Sequence, residues 1–122
     1  MQRSSFRDLR VWQQAIELAL AVYRASDKFP RHEVYGLSQQ MRRAAVSIAS
    51  NIAEGKGHRS DKEFRHFLFH ARGSLMELET QILLADKLQY LSAEQSKSVQ
   101  GMATQVGRSL TGLINSLTEQ AA

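Results

Sequence analysis

The sequence predicts an all-α fold, an antiparallel up-down-up-down four-helix bundle, and three observations carry that expectation. Apolar residues recur at gaps of three and four in four separate stretches. Serine-led capping patterns open three of them. A single proline and few β-branched runs leave no strand pattern to compete. With 122 residues, the chain reads as a single four-helix bundle domain over 1–122, long enough to bury a real core. Helices are expected at about 8–26, 35–54, 61–89 and 93–118.

Ser5 to Asp8 has the S-x-x-D pattern of a helix start, in which a hydroxyl caps one free amide and the carboxylate reaches back to another. Leu9, Trp12, Ile16, Ala19 and Tyr23 then form the expected core row. Phe29-Pro30 ends this helix, because the residue before proline is pushed out of helical geometry. The second helix places Leu37, Met41, Ala44, Ile48 and Ile52 inward. Ala45, Ala49 and Ala53 give it a face of methyl groups that a neighbour can approach closely. Gly55 and Gly57 are expected to stop it through a left-handed cap.

Ser60-Asp61-Lys62-Glu63 is a capping-box sequence that opens the third helix, whose core row is Phe64, Leu68, Ala71, Leu75, Leu78, Ile82 and Ala85. Gly73 in its middle costs about 1 kcal/mol relative to alanine, and the expected compensation is close packing on the Ala45/Ala49/Ala53 face. Ser92 to Gln95 repeats the capping pattern. The fourth helix follows with Val99, Ala103, Val106, Leu110, Leu113 and Leu117 inward, and it contains Gly101, Gly107 and Gly112.

The chain is organised around Arg42 to Gly57. Beside the apolar row of this helix runs a polar one, Gln40, Arg43, Ser47, Asn51 and Glu54, and the third helix offers a matching row of His66, His70, Ser74, Glu77 and Gln81. A structural polar seam of Arg42, Arg43, Ser47, Asn51, Glu54, Ser74 and Glu77 is expected. In it Arg43 or Arg42 pairs with Glu77, while Ser47 and Asn51 satisfy nearby polar groups.

Composition narrows the function classes. With 43% hydrophobic and 23% charged residues the chain reads as soluble and globular. The absence of cysteine rules out disulfides and thiolate metal sites. No signal peptide is visible and no apolar run nears the roughly 20 residues a bilayer needs, so a cytoplasmic protein is expected. Net charge is +4 and the isoelectric point about 9.8. The excess is N-terminal: residues 1–31 hold six Lys/Arg against three Asp/Glu, and residues 61–91 four against five.

That asymmetry permits contact with RNA or DNA. The candidate residues are Arg3, Arg7 and Arg10 at the first helix start, and Lys56, Arg59, Lys62 and Arg65 around the second turn, two clusters expected at opposite poles. Trp12, Phe64 and Phe67 read as core, so any binding is expected to follow backbone phosphates and ignore sequence. Phe69, Leu84 and Val11 fall off the core rows, which is the pattern of a subunit or protein-partner interface and supports a scaffold as the competing class.

Glu63-x-x-His66 has the spacing of carboxylate-bridged di-metal bundles, but no second copy exists, and no metal is expected. There is no phosphate-binding glycine loop after a strand, no cysteine nucleophile and no G-x-S-x-G elbow, so neither a catalytic site nor a cofactor is expected.

F-x-D-L-x-V-W at Phe6 to Trp12, Y-G-L-S-x-Q at Tyr35 to Gln40, R-R-A-A-V-S-I-x-S-N-I-A-E-G at Arg42 to Gly55, and G-S-L-x-E-L-E-T-Q at Gly73 to Gln81 resemble a bacterial four-helix-bundle family. That family is known from proteins encoded in intervening sequences of 23S ribosomal RNA genes. The resemblance implies a ring-like homo-oligomer, typically a pentamer, with no recognised enzymatic activity and no agreed catalytic residues. A related fold is the accessory protein of diversity-generating retroelements, which works with a reverse transcriptase and nucleic acid through basic surfaces. The motif positions in this chain are Arg42, Arg43, Ser47, Asn51 and Glu54, with Gly73, Ser74 and Glu77.

Overall fold

The structure is a computed structural model and describes residues 5–121. Four helices, α1 (Arg10–Ser26), α2 (Leu37–Lys56), α3 (Asp61–Lys87) and α4 (Ala93–Ala121), follow one another through short turns. Each packs on its chain neighbours, α4 closes on α1, and among the described residues the backbones of diagonal helices stay more than 8 Å apart from Cα to Cα. Side-chain bonds fix the antiparallel course. Arg42 near the start of α2 reaches Ser26 at the end of α1, and Ser109 in the far half of α4 reaches Gln14 near the start of α1. The expected up-down bundle is the observed one. No described helix is long and apolar enough to cross a membrane.

The expected inward rows of α2 and α3 are buried throughout. Leu18, Ile48, Ile52, Leu68, Leu78 and Leu110 are sealed completely, each removing enough apolar surface from water to stabilise the fold by about 1.5–3 kcal/mol. In α4 the row shifts at its end, where Ile114 is buried and Leu113 only partly so.

In α1 the expected face is displaced. Val11, Ala15, Leu18, Val22 and Ala25 form the buried row, while Leu9, Trp12, Ile16 and Ala19 flank it and Tyr23 is exposed. Val11 is therefore core, at 4% exposure, and not spare interface surface, whereas Phe69 and Leu84 are exposed as expected. Both rows of α1 are apolar at helical spacing, so periodicity alone does not choose between them.

The helix ends depart from expectation in three places. The Ser5–Asp8 box forms, yet it caps a single 3-10 turn, Phe6–Asp8. Leu9 is extended at ψ 124°, so α1 starts only at Arg10. Gly55 and Gly57 adopt no left-handed cap: Gly57 sits at φ −72° and Gly55 is inside α2. A Cβ on Gly55 would lie 2.7 Å from the Cβ of Phe67, so this glycine permits the α2–α3 corner to close. The left-handed residue is Gln89, at φ 64°. Its amide donates to Asp86 O and that of Tyr90 to Ala85 O, a Schellman ending for α3. Within α3, away from its ends, Gly73 has no atom of another segment within 4 Å of where a Cβ would stand, so the close packing expected there is absent. Serine capping holds for the other two starts: Ser60 Oγ accepts the Glu63 amide, and Ser92 and Gln95 bond reciprocally.

Candidate functional site

The polar seam between α2 and α3 forms around three side chains. Ser47 and Ser74 meet through their hydroxyls at 2.8 Å, and the Asn51 amide donates to the carbonyl oxygen of Ser47 at 2.9 Å and to its hydroxyl at 3.1 Å. Each group lies half-buried and bonds within the seam, and the Ser47–Ser74 contact ties the register of the two helices. The other seam candidates lie elsewhere. Arg43, Glu54 and Glu77 are exposed, and neither arginine pairs with Glu77. Gln81 is buried, and its Oε1 has no protein hydrogen-bond partner.

Arg42 turns toward α1 instead of α3. Its Nε donates to Ser26 Oγ at 2.8 Å, Nη2 donates to the carbonyl of Tyr23 at 3.2 Å, and the guanidinium lies 4.7 Å above the Tyr23 ring. The Tyr23 carbonyl already accepts the Asp27 amide at 3.1 Å and the Ser26 hydroxyl at 3.3 Å, so Arg42 adds a further donor at the negative end of the α1 dipole, which attracts a cation. Arg42 caps α1, and Asp27 lies 3.9 Å from the same guanidinium.

Beyond this pair the turn between α1 and α2 is pinned to the opposite corner. Glu33 Oε1 accepts the Leu37 amide at 3.1 Å, and Oε2 accepts the Tyr90 hydroxyl at 2.9 Å. The two hydrogen bonds, Leu37 first, hold the Glu33 carboxyl below its ordinary pKa, and the bond to Glu33 raises that of Tyr90. Sequence reading missed this link. Its only trace is an acid followed four residues later by a helix start, a weak sign of an N-terminal cap.

The basic candidates stand closer together than expected. In an antiparallel bundle the chain returns to its starting end after two helices, so the start of α1 and the α2–α3 turn share a pole. The turn at Phe6–Asp8 accordingly packs on α2. Arg7, Arg10, Lys56, Arg59, Lys62 and Arg65 therefore lie at one end of the bundle, with Asp8, Glu54, Asp61 and Glu63 interspersed. Arg3 lies outside the described residues. Arg7, Arg10, Arg59 and Lys62 are exposed. The Arg7 guanidinium rests 4.8 Å from the Phe6 ring and Lys56 Nζ 5.8 Å from the Phe64 ring. Arg65 is half-buried, and its Nη1 has no hydrogen-bond partner. His58 stacks on Phe67 at this end, 4.9 Å between ring centres.

His66 and His70 sit one turn apart on α3 with their Nε2 atoms 3.2 Å from each other. Among the described residues no group of three or more metal-ligating side chains forms.

The model of the family described as 23S rRNA-intervening sequence protein matches residues 7–112. Among solved structures, the chain is similar to a protein of unknown function from the S23 ribosomal protein family of Bacteroides thetaiotaomicron. The TM-score is 0.79 and the identity 24%, over 85% of this chain and 97% of that one, a likeness of fold. No curated protein matches the chain.

Proposed function

Since the chain belongs to the 23S rRNA-intervening sequence protein family, we propose that it is a non-enzymatic, self-associating accessory protein whose basic pole contacts the phosphate backbone of RNA or DNA. The observation that carries this reading is the convergence of Arg7, Arg10, Lys56, Arg59, Lys62 and Arg65 on one end of the bundle. Long cations on helix ends and turns reach phosphates without reading bases. Self-association repeats the pole in each subunit, so weak contacts add through avidity.

A second reading, a scaffold for a protein partner such as a reverse transcriptase, is favoured by the outer face of α3, where Phe69, Met76, Leu83 and Leu84 are exposed.

Fluorescence anisotropy against structured RNA, duplex DNA and RNA–DNA hybrid, repeated across a salt series, tests the first reading. Six cations per subunit set a limiting slope of log affinity on log salt of about −5. Reversing the charges of Lys56, Arg59, Lys62 and Arg65 together abolishes binding and leaves the assembly, measured by light scattering, intact. Loss of both binding and assembly assigns these residues to an interface. Absence of binding near physiological salt leaves the scaffold.

A further inference from the structure

At the other pole, the end of α1, the turn that follows it and the first half of α2 enclose a groove of about 680 Å³, a size at which small molecules are bound. Tyr23, Val34, Tyr35 and Val46 give it apolar walls, and Arg42 and Arg43 bring positive charge. Tyr35 is 88% exposed, the most exposed of the large apolar side chains. An aromatic ring left in water on a loop tip is ordinarily mobile, but this one is flanked by fixed points. Glu33 is bonded to Tyr90 and to the Leu37 amide, and a Cβ at Gly36 would stand 2.6 Å from Glu33 Oε1, so a larger residue there would push that carboxylate from its bonds. The turn is thus set during folding, and a ligand stacking on Tyr35 meets little further ordering cost in the backbone.

The floor of the groove is equally ordered, since Arg42 is tied to Ser26 and to the Tyr23 carbonyl and covers the Tyr23 ring. Arg43 is exposed and forms no ion pair among the described residues. Asp27, the acid on the rim, has a side chain 84% exposed and lies 3.9 Å from Arg42. A free aromatic face and an uncommitted guanidinium lining one groove are the pairing that single-stranded nucleic acid exploits, the base stacking and the phosphate meeting the cation. An apolar peptide fits less well, because Ser38, Gln39, Ser47 and the two guanidinium groups interrupt the apolar surface.

We propose that this groove binds an unpaired nucleotide of single-stranded RNA or DNA, its base stacked on Tyr35 and its phosphate held by Arg43. The proposal rests on the nucleic-acid reading above, but it uses the opposite pole and a different form of strand.

Full-length protein is titrated into fluorescein-labelled short single strands of RNA and of DNA, and into a blunt duplex. Tyr35→Ala is expected to weaken binding of both single strands by about 5- to 100-fold, to leave duplex binding unchanged, and to melt as the parent does. Tyr35→Trp restores or exceeds the parent affinity, as stacking demands, and Arg43→Gln weakens the single strands. Parent-like binding of single strands by Tyr35→Ala, with duplex still bound, overturns the groove and leaves the basic pole standing. Binding of neither form by the parent overturns both. If the Arg59→Glu/Lys62→Glu protein loses duplex but keeps Tyr35-dependent single-strand binding, the groove is upheld as a site separate from the pole. Tyr35-dependent binding of single strands by a parent that binds no duplex upholds the groove without the pole. Tyr35-dependent binding of a polyglutamate peptide in place of either strand reassigns the groove to a protein ligand.

Discussion

Ser47 and Ser74 face each other across the α2–α3 seam with 2.8 Å between their hydroxyl oxygens, and Asn51 closes the group from one turn further along α2. Three short polar side chains bond to one another between the two helices, and none carries charge. Such a group costs little to bury while complete and more when broken, because each member removed orphans another.

Ser47→Ala is therefore expected to destabilise the fold by about 1 kcal/mol and Ser74→Ala by a similar amount, within the usual range for a part-buried hydrogen bond. The double variant should lose less than the two together, since removing both hydroxyls leaves neither orphaned. Urea denaturation of the four proteins in a double-mutant cycle measures that coupling. Strict additivity would show that the two serines do not act as a pair.

Glycines supply the next expectation, and they divide by surroundings. Gly73 and Gly101 lie in helices with no atom of another segment near a built Cβ, so alanine adds helix propensity and no clash. Gly73→Ala and Gly101→Ala should each stabilise the protein by about 1 kcal/mol. That corresponds to about 3–5 °C in Tm for a chain of this size. At Gly55 the Cβ would approach Phe67 Cβ to 2.7 Å and the Phe64 carbonyl oxygen to 3.2 Å. Gly55→Ala should accordingly cost about 1–3 kcal/mol through overpacking. Calorimetric melts of the three variants decide it, and a stabilised Gly55→Ala would refute the close approach at that corner.

These glycines also show how much was legible in the sequence. The heptads of α3 and α4 and the serines opening both helices fixed the bundle, because each was a strong local signal with a physical cause. Gly73 misled, since a mid-helix glycine looks the same in sequence whether a neighbour touches it or not. In α1 the wide apolar arc hid the true inward row, and Val11 passed for surface. The Arg42–Ser26 cap and the Glu33–Tyr90 link join residues 16 and 57 positions apart, and no local pattern encodes the partner of either. The basic residues were identified singly. Their shared pole follows from chain direction, and the exposure of Tyr35 follows only from the turn that carries it.

Gln89 ends α3 in the left-handed region at φ 64°. There a side chain crowds its own carbonyl, and glycine avoids that strain. Gln89→Gly is expected to stabilise the protein by about 0.5–1 kcal/mol, and Gln89→Ala should be neutral or slightly worse. The comparison separates backbone conformation from side-chain loss, because both variants delete the amide. Equal melting temperatures for the two would remove the conformational explanation.

The Glu33–Tyr90 bond requires a deprotonated carboxylate and a protonated phenol, which gives stability a definite pH dependence. Glu33 has a folded pKa below its ordinary value, chiefly through the Leu37 amide and then through the Tyr90 hydroxyl. Its contribution is therefore present above the usual glutamate value and is lost as pH falls through the lower folded one. Tyr90 has a raised folded pKa, so the same bond is intact below the usual tyrosine value and is lost as pH rises through the higher folded one. Tyr90→Phe removes only the hydroxyl and keeps the ring beside Phe29, whose centre lies 5.2 Å away. The gap in Tm between parent and Tyr90→Phe should be widest near neutral pH and narrow as pH falls below the ordinary glutamate value and through the lower folded one. Glu33→Gln, which cannot titrate, should melt with a flatter acid limb than the parent. Thermal melts of the three proteins from neutral pH down to the acid limb of the parent's own unfolding make the test: a gap that stays constant down that limb would mean that the hydroxyl contributes through packing and not through the carboxylate.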